Sequence, residues 1–105
     1  MIQHLVLFKL KRGVEWDDPR LVDVIAALDT LPEQVVNIRA WEHGFNVTKK
    51  PEDGDYSPLQ SRDYALRAVF DDEAALHHYF DHPAHLPVVE AWEAIADLAY
   101  CDIVV

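Results

Sequence analysis

Residues 2–11, IQHLVLFKLK, are apolar on both faces of a strand, and no other feature of the chain constrains its fold as strongly. Side chains alternate across a strand, so Ile2, His4, Val6, Phe8 and Leu10 share one face. Gln3, Leu5, Leu7, Lys9 and Lys11 share the other, with Leu5 and Leu7 at its centre. A strand of this kind has to be covered twice. In a chain of 105 residues, one small domain, the second cover is expected from another copy of the same chain.

The remaining elements can be placed in order. A helix is predicted to begin at Asp18-Pro19, an N-cap carboxylate followed by proline at the first helical position. Its buried stripe is Leu21, Val24, Ile25 and Leu28, and Leu31-Pro32 is expected to stop it. Residues 35–47, VVNIRAWEHGFNV, read as a strand with a bulge or bend at Gly44. Residues 49–62, KKPEDGDYSPLQSR, read as a long polar loop. DYALRAVF, residues 63–70, is a third strand with Tyr64, Leu66, Ala68 and Phe70 on one face.

Asp71-Asp72 caps a short helix through Asp81, and Pro83 breaks it. Pro87 suits the first turn of a further helix to about Asp97, carrying His85, Val88, Val89, Trp92, Ile95 and Ala96 on one stripe. AYCDIVV closes the chain as the last strand. The order β-α-β-β-α-β, with the second α split, predicts a single α+β domain over residues 1–105. Its antiparallel sheet is ferredoxin-like, with helices on one face and a homodimer through the other.

Charge narrows the partners. Nineteen carboxylates against nine Lys and Arg give a formal net charge of −10, which repels nucleic acid and anionic lipid. No nucleic-acid or membrane partner is expected. The first apolar run is too short to span a bilayer and shows no cleavage site, and a single cysteine, Cys101, cannot form an intrachain disulfide. A cytoplasmic protein is expected, with Cys101 a buried, inert thiol in its strand.

Residues 77–85, HHYFDHPAH, hold the densest chemistry. A metal site is not expected there: His78 and His82 are helically spaced, but Pro83 separates them from His85, and no Cys or H-E-x-x-H pattern accompanies them. His77 and His78 read as solvent-exposed, and His82 as a capping or turn residue. His85 heads the apolar stripe of its helix and His4 lies on the more apolar face of the first strand. Two imidazoles aimed at one interior each need a partner. Either they are structural, bonded to a backbone carbonyl or to the hydroxyl of Tyr79 or Tyr64, or they line a pocket. In a pocket a neutral imidazole can remove a proton next to a carbonyl. The acidic run PEDGD, residues 51–55, reads as a solvated loop.

Four stretches together resemble the stress-responsive dimeric α+β barrel (Dabb) family, in the right order over nearly the whole chain. They are MIQHLVLFKLK, Leu31-Pro32, the G-x-N-V-T of residues 44–48, and AVFDDEAALHHYFDHPAHLPVVEAW. The resemblance implies a ferredoxin-like protomer dimerised through its sheet. It also implies the chemistry of a member that cyclises a linear polyketide by aldol condensation without a cofactor. Catalytic His and Tyr then fall on His85 and Tyr79, and a pocket histidine on His4. Val6, Phe8, Leu21, Val24, Leu66 and Trp92 are the implied substrate contacts. The family's magnesium, held by backbone carbonyls, would lie near Leu28 and Leu31. Three readings stand: a cofactor-free lyase or cyclase acting on a small apolar carbonyl compound, a non-catalytic stress or structural scaffold, and a cofactor-free monooxygenase on the related barrel fold, for whose oxygen chemistry no residue here speaks specifically.

Overall fold

The computed structural model describes residues 1–48 and 61–105. β1 (Ile2–Leu10) is followed by α1 (Pro19–Gln34), β2 (Ala40–Phe45), β3 (Tyr64–Phe70), α2 (Glu73–Asp81), α3 (His85–Glu93) and β4 (Ala96–Val104). The strands form one antiparallel sheet in the order β2-β3-β1-β4, the α+β ferredoxin-like arrangement. β1, apolar on both faces, takes an inner position with a ladder on each side, which keeps its backbone groups paired as well as its side chains covered.

One face of the sheet is buried under the helices. Ile2, His4, Val6, Phe8 and Leu10 of β1 lie there with Tyr64, Leu66, Ala68 and Phe70 of β3. α1 packs Leu21, Val24, Leu28 and Leu31 onto them; α2 and α3 add Leu76, Tyr79 and Trp92. Each large apolar side chain buried in this way contributes about 1.5–3 kcal/mol. The other face has no cover within the described chain: Leu7 is 45% exposed and Ile103 39%.

Buried Asp63 fastens the end of the sandwich away from His4. Its Oδ2 accepts from Leu10 N at 2.8 Å, its N–H donates to Phe8 O at 2.8 Å, and its carbonyl accepts from Asn46 N at 2.9 Å. Three chain segments meet at one residue.

Local structure departs from expectation in five places. α1 runs through Pro32 to Gln34, because a proline in the last turn removes one helical donor while Leu31 and Val35, both 1% exposed, hold the turn in the core. Val35 N donates to Leu31 O at 2.9 Å and ends the helix. The second strand is only Ala40–Phe45, since Asn37 takes φ 71° and turns the chain beforehand. Gly44 makes no bulge and pairs in unbroken register with Ala65. α3 ends at Glu93, so Ala96 opens β4 instead of closing a helical stripe. Cys101 is exposed on the helix-free side of β4, not buried. Most of the expected polar loop, PEDGD included, lies outside the described residues.

Candidate functional site

A cavity of about 670 Å³ lies between the sheet and helices α2 and α3. That volume suits a small molecule. β1 and β4 form one wall with His4, Val6, Phe8, Leu98 and Tyr100; the helices form the other with Tyr79, Phe80, His85, Val88 and Trp92. Lys11, Glu93 and Asp97 also line it, at the opposite end of β1 from His4. Seven residues of extended chain separate His4 from Lys11, about 20 Å, so the cavity follows the strand with imidazoles at one end and charges at the other.

His85 is aimed by the turn that Pro83 forces. α2 ends at Asp81, His82 is extended at φ −67° and ψ 136°, and its ring Nδ1 accepts from Ala84 N at 3.0 Å. His85 N then donates back to His82 O at 3.0 Å. The His85 ring folds over this turn, its Nδ1 lying 3.2 Å from the carbonyl oxygen of Phe80. A carbonyl can only accept, so Nδ1 carries the hydrogen and the neutral ring keeps its lone pair on Nε2. Burial pushes the His85 imidazole below its ordinary pKa; the Phe80 carbonyl opposes that shift and the neighbouring His4 adds to it.

His4 is 4% exposed. It stands directly opposite Asp102 in the β1–β4 ladder, and its Nδ1 lies 2.5 Å from Asp102 Oδ1. Tyr79 packs against both histidines, its ring centroid 5.8 Å from that of His4 and 4.4 Å from that of His85. Burial drives the Tyr79 phenol far above its usual range, so at neutral pH its hydroxyl remains a donor.

The structure therefore gathers His85, Tyr79, His4, Val6, Phe8, Leu66 and Trp92 around one cavity. Leu21 and Val24 do not line it: they lie in the core, at 0% and 3% exposure. His77 and His78 are exposed on α2. The histidines' partners are Asp102 and a backbone carbonyl; neither pairs with a tyrosine hydroxyl. Asp102, Lys11 and Tyr100 were not singled out in the sequence. Asp102 could have been found only by pairing the first strand with the last, and that register is a tertiary fact.

Among the described residues no three His, Cys, Asp or Glu side chains converge as a metal site requires. At the implied magnesium position, Pro32 has no N–H to give the Leu28 carbonyl, but the Leu31 carbonyl is engaged by Val35 N. The helix continues where the family's ion would need a turn, so the fit is incomplete and no step is drawn through a cation. No described helix is long and apolar enough to cross a membrane.

Residues 2–105 match the family model described as the stress responsive A/B barrel domain. An uncharacterized protein of Streptomyces coelicolor is 36% identical over 102 residues, 97% of each chain. A dimeric ferredoxin-like protein of unknown function from Thermobifida fusca superposes with a TM-score of 0.79 at 23% identity, covering 99% of this chain and 90% of that one. The hydroxynitrile lyase of Passiflora edulis has the same TM-score at 15% identity, with 99% and 92% covered. At those identities the two structures speak for the fold alone.

Proposed function

The chain belongs to the stress-responsive A/B barrel domain family, and from that premise we propose that it is a homodimer whose cavity binds a small, largely apolar carbonyl compound and enolises it without a cofactor. His85 Nε2 is the base that takes the proton next to the carbonyl, and the Tyr79 hydroxyl donates to the oxygen on which charge develops. Val6, Phe8, Leu66 and Trp92 hold the apolar body of the ligand. The observation that carries this reading is the anchoring of His85 Nδ1 on the Phe80 carbonyl, which leaves Nε2 as the unprotonated nitrogen of a ring that lines the cavity. Its lowered pKa keeps it in that state at neutral pH.

The proposed homodimer is the second part of this reading. Leu5 and Leu7 on the helix-free face, with Ala99, Cys101 and Ile103 of β4, form the apolar surface that a second copy would cover, and the Thermobifida relative is described as dimeric. Leu7→Asp is expected to give monomeric or insoluble protein, because a buried unpaired carboxylate costs several kcal/mol. A stable wild-type monomer at micromolar concentration in sedimentation equilibrium would contradict it.

Deuterium incorporation next to the carbonyl of 2-heptanone in D2O tests the chemistry directly. The wild type is expected to accelerate exchange, and His85→Ala to slow it by about 10²–10⁴-fold while the dimer stays folded. No exchange by the wild type above the buffer rate would leave the scaffold reading in its place.

A further inference from the structure

We propose that the His4–Asp102 pair is the general acid of the same cavity, so that one imidazole gives a proton while the other takes one. The proposal rests on the reading of His85 as the base. The two histidines have the same side chain in one cavity, and their surroundings separate their roles. Phe80 offers His85 a carbonyl dipole and no charge. Asp102 offers His4 a carboxylate at 2.5 Å, so a protonated His4 has its charge matched inside the protein. Two like groups in unlike surroundings divide acid from base.

Position supports the division. Asp102 occupies Nδ1, leaving Nε2 as the ring nitrogen that His4 can present to the cavity it lines. Tyr79 packs against both imidazoles and lines the same cavity, so a ligand carbonyl seated there has both a phenol and His4 among its neighbours. In the step itself, His85 Nε2 takes the proton from the carbon next to the carbonyl, and the C–H electron pair becomes the C=C bond. The carbonyl π pair moves onto oxygen, and oxygen takes the Nε2 proton of His4. Neutral His4 keeps its Nδ1–H on Asp102, His85 leaves as imidazolium, and the product is an enol. Reprotonation at carbon by His85 reverses the step or delivers the proton elsewhere on the chain. The substrate class is accordingly a ketone or β-dicarbonyl compound that enolises as a neutral species, with an apolar remainder lying along β1.

Asp102 is a positioning residue, so its test needs a readout that packing alone would not move. The exchange of 2-heptanone in D2O is followed against ketone concentration for the wild type, Asp102→Asn and His4→Gln. Asp102→Asn is expected to lower kcat for exchange about tenfold or more with KM unchanged, and His4→Gln to lower kcat at least as far. Asp102→Asn keeps a polar group in the ladder and carries the test alone if His4→Gln fails to fold. A kcat unchanged in Asp102→Asn, with His85→Ala inactive, would overturn the acid assignment and spare the base. Absence of exchange in the wild type would remove both.

Discussion

On β1, His4 gives one ring nitrogen to Asp102 and keeps the other; on β2, His43 spends both. His43 Nδ1 lies 2.5 Å from the Tyr64 hydroxyl and Nε2 2.7 Å from Asp29 Oδ1. Both pairs join an imidazole to a carboxylate on the helix side of one sheet. The His43 chain, however, is closed at its inner end by a phenol. Tyr64 is 4% exposed, and burial, reinforced by the Asp29 charge, pushes its pKa up to about 12. It acts as a hydrogen-bond partner and not as an acid. The His43 chain ties α1 to β2 and β3 and steadies the Tyr64 ring, which packs against Phe8 and Trp92 of the cavity wall. A carboxylate beside a histidine is therefore no site in itself. A site requires a nitrogen left over and space for it to act in.

That contrast can be broken most sharply at the imidazoles themselves. Against the expected 10²–10⁴-fold loss of exchange in His85→Ala, His43→Ala should leave exchange by the folded protein essentially unchanged. Comparable losses in the two variants would erase the distinction between cavity and tie. A smaller effect is expected on stability, with the order reversed. Tyr64→Phe leaves His43 Nδ1 without its partner and should cost about 1–3 kcal/mol in urea unfolding, while His85→Ala costs less because half-exposed His85 can be replaced by water. A Tyr64→Phe protein as stable as the wild type would show that the tie is dispensable.

The smallest effect concerns pH. The folded-state pKa of His85 is lowered, so the unfolded chain binds its proton first as pH falls. The contribution of His85 to stability is complete above the ordinary histidine pKa of about 6.5 and is lost as pH falls through the lower folded value. Unfolding midpoints of the wild type should therefore decline through that window more steeply than those of His85→Ala.

How much of this was legible in the sequence depends on the distance over which each feature is decided. β1, β3, α2 and the start of α1 were readable because alternation, helical spacing and the Asp18 and Asp72 caps act within a few residues. The end of α1 was misread because burial of Leu31 and Val35 outweighs the one hydrogen bond Pro32 forgoes, and burial is a tertiary quantity. The start of β4 was misread for a related reason: Ile95 and Ala96 are buried by the sheet, and apolar spacing alone continued α3 through them. At the site, His85 and His4 stood out as polar residues on apolar faces. Asp102 and the Asp29–His43–Tyr64 chain did not, because each joins residues 14 to 98 positions apart through the strand register and the docking of α1. The expectation of Leu21 and Val24 in a pocket comes from family resemblance, whereas in this chain both lie in the core under α1.

The claim on which the rest depends is the state of His85, and long-range proton–nitrogen correlation spectra of the imidazoles across a pH titration measure it directly. At pH 7 the His85 ring should show a protonated Nδ1 and an unprotonated Nε2, titrating below the ordinary histidine value, with the Nε2 signal moved on addition of 2-heptanone. A His85 ring protonated at Nε2, or one that titrates as a free histidine and ignores the ketone, would contradict the account.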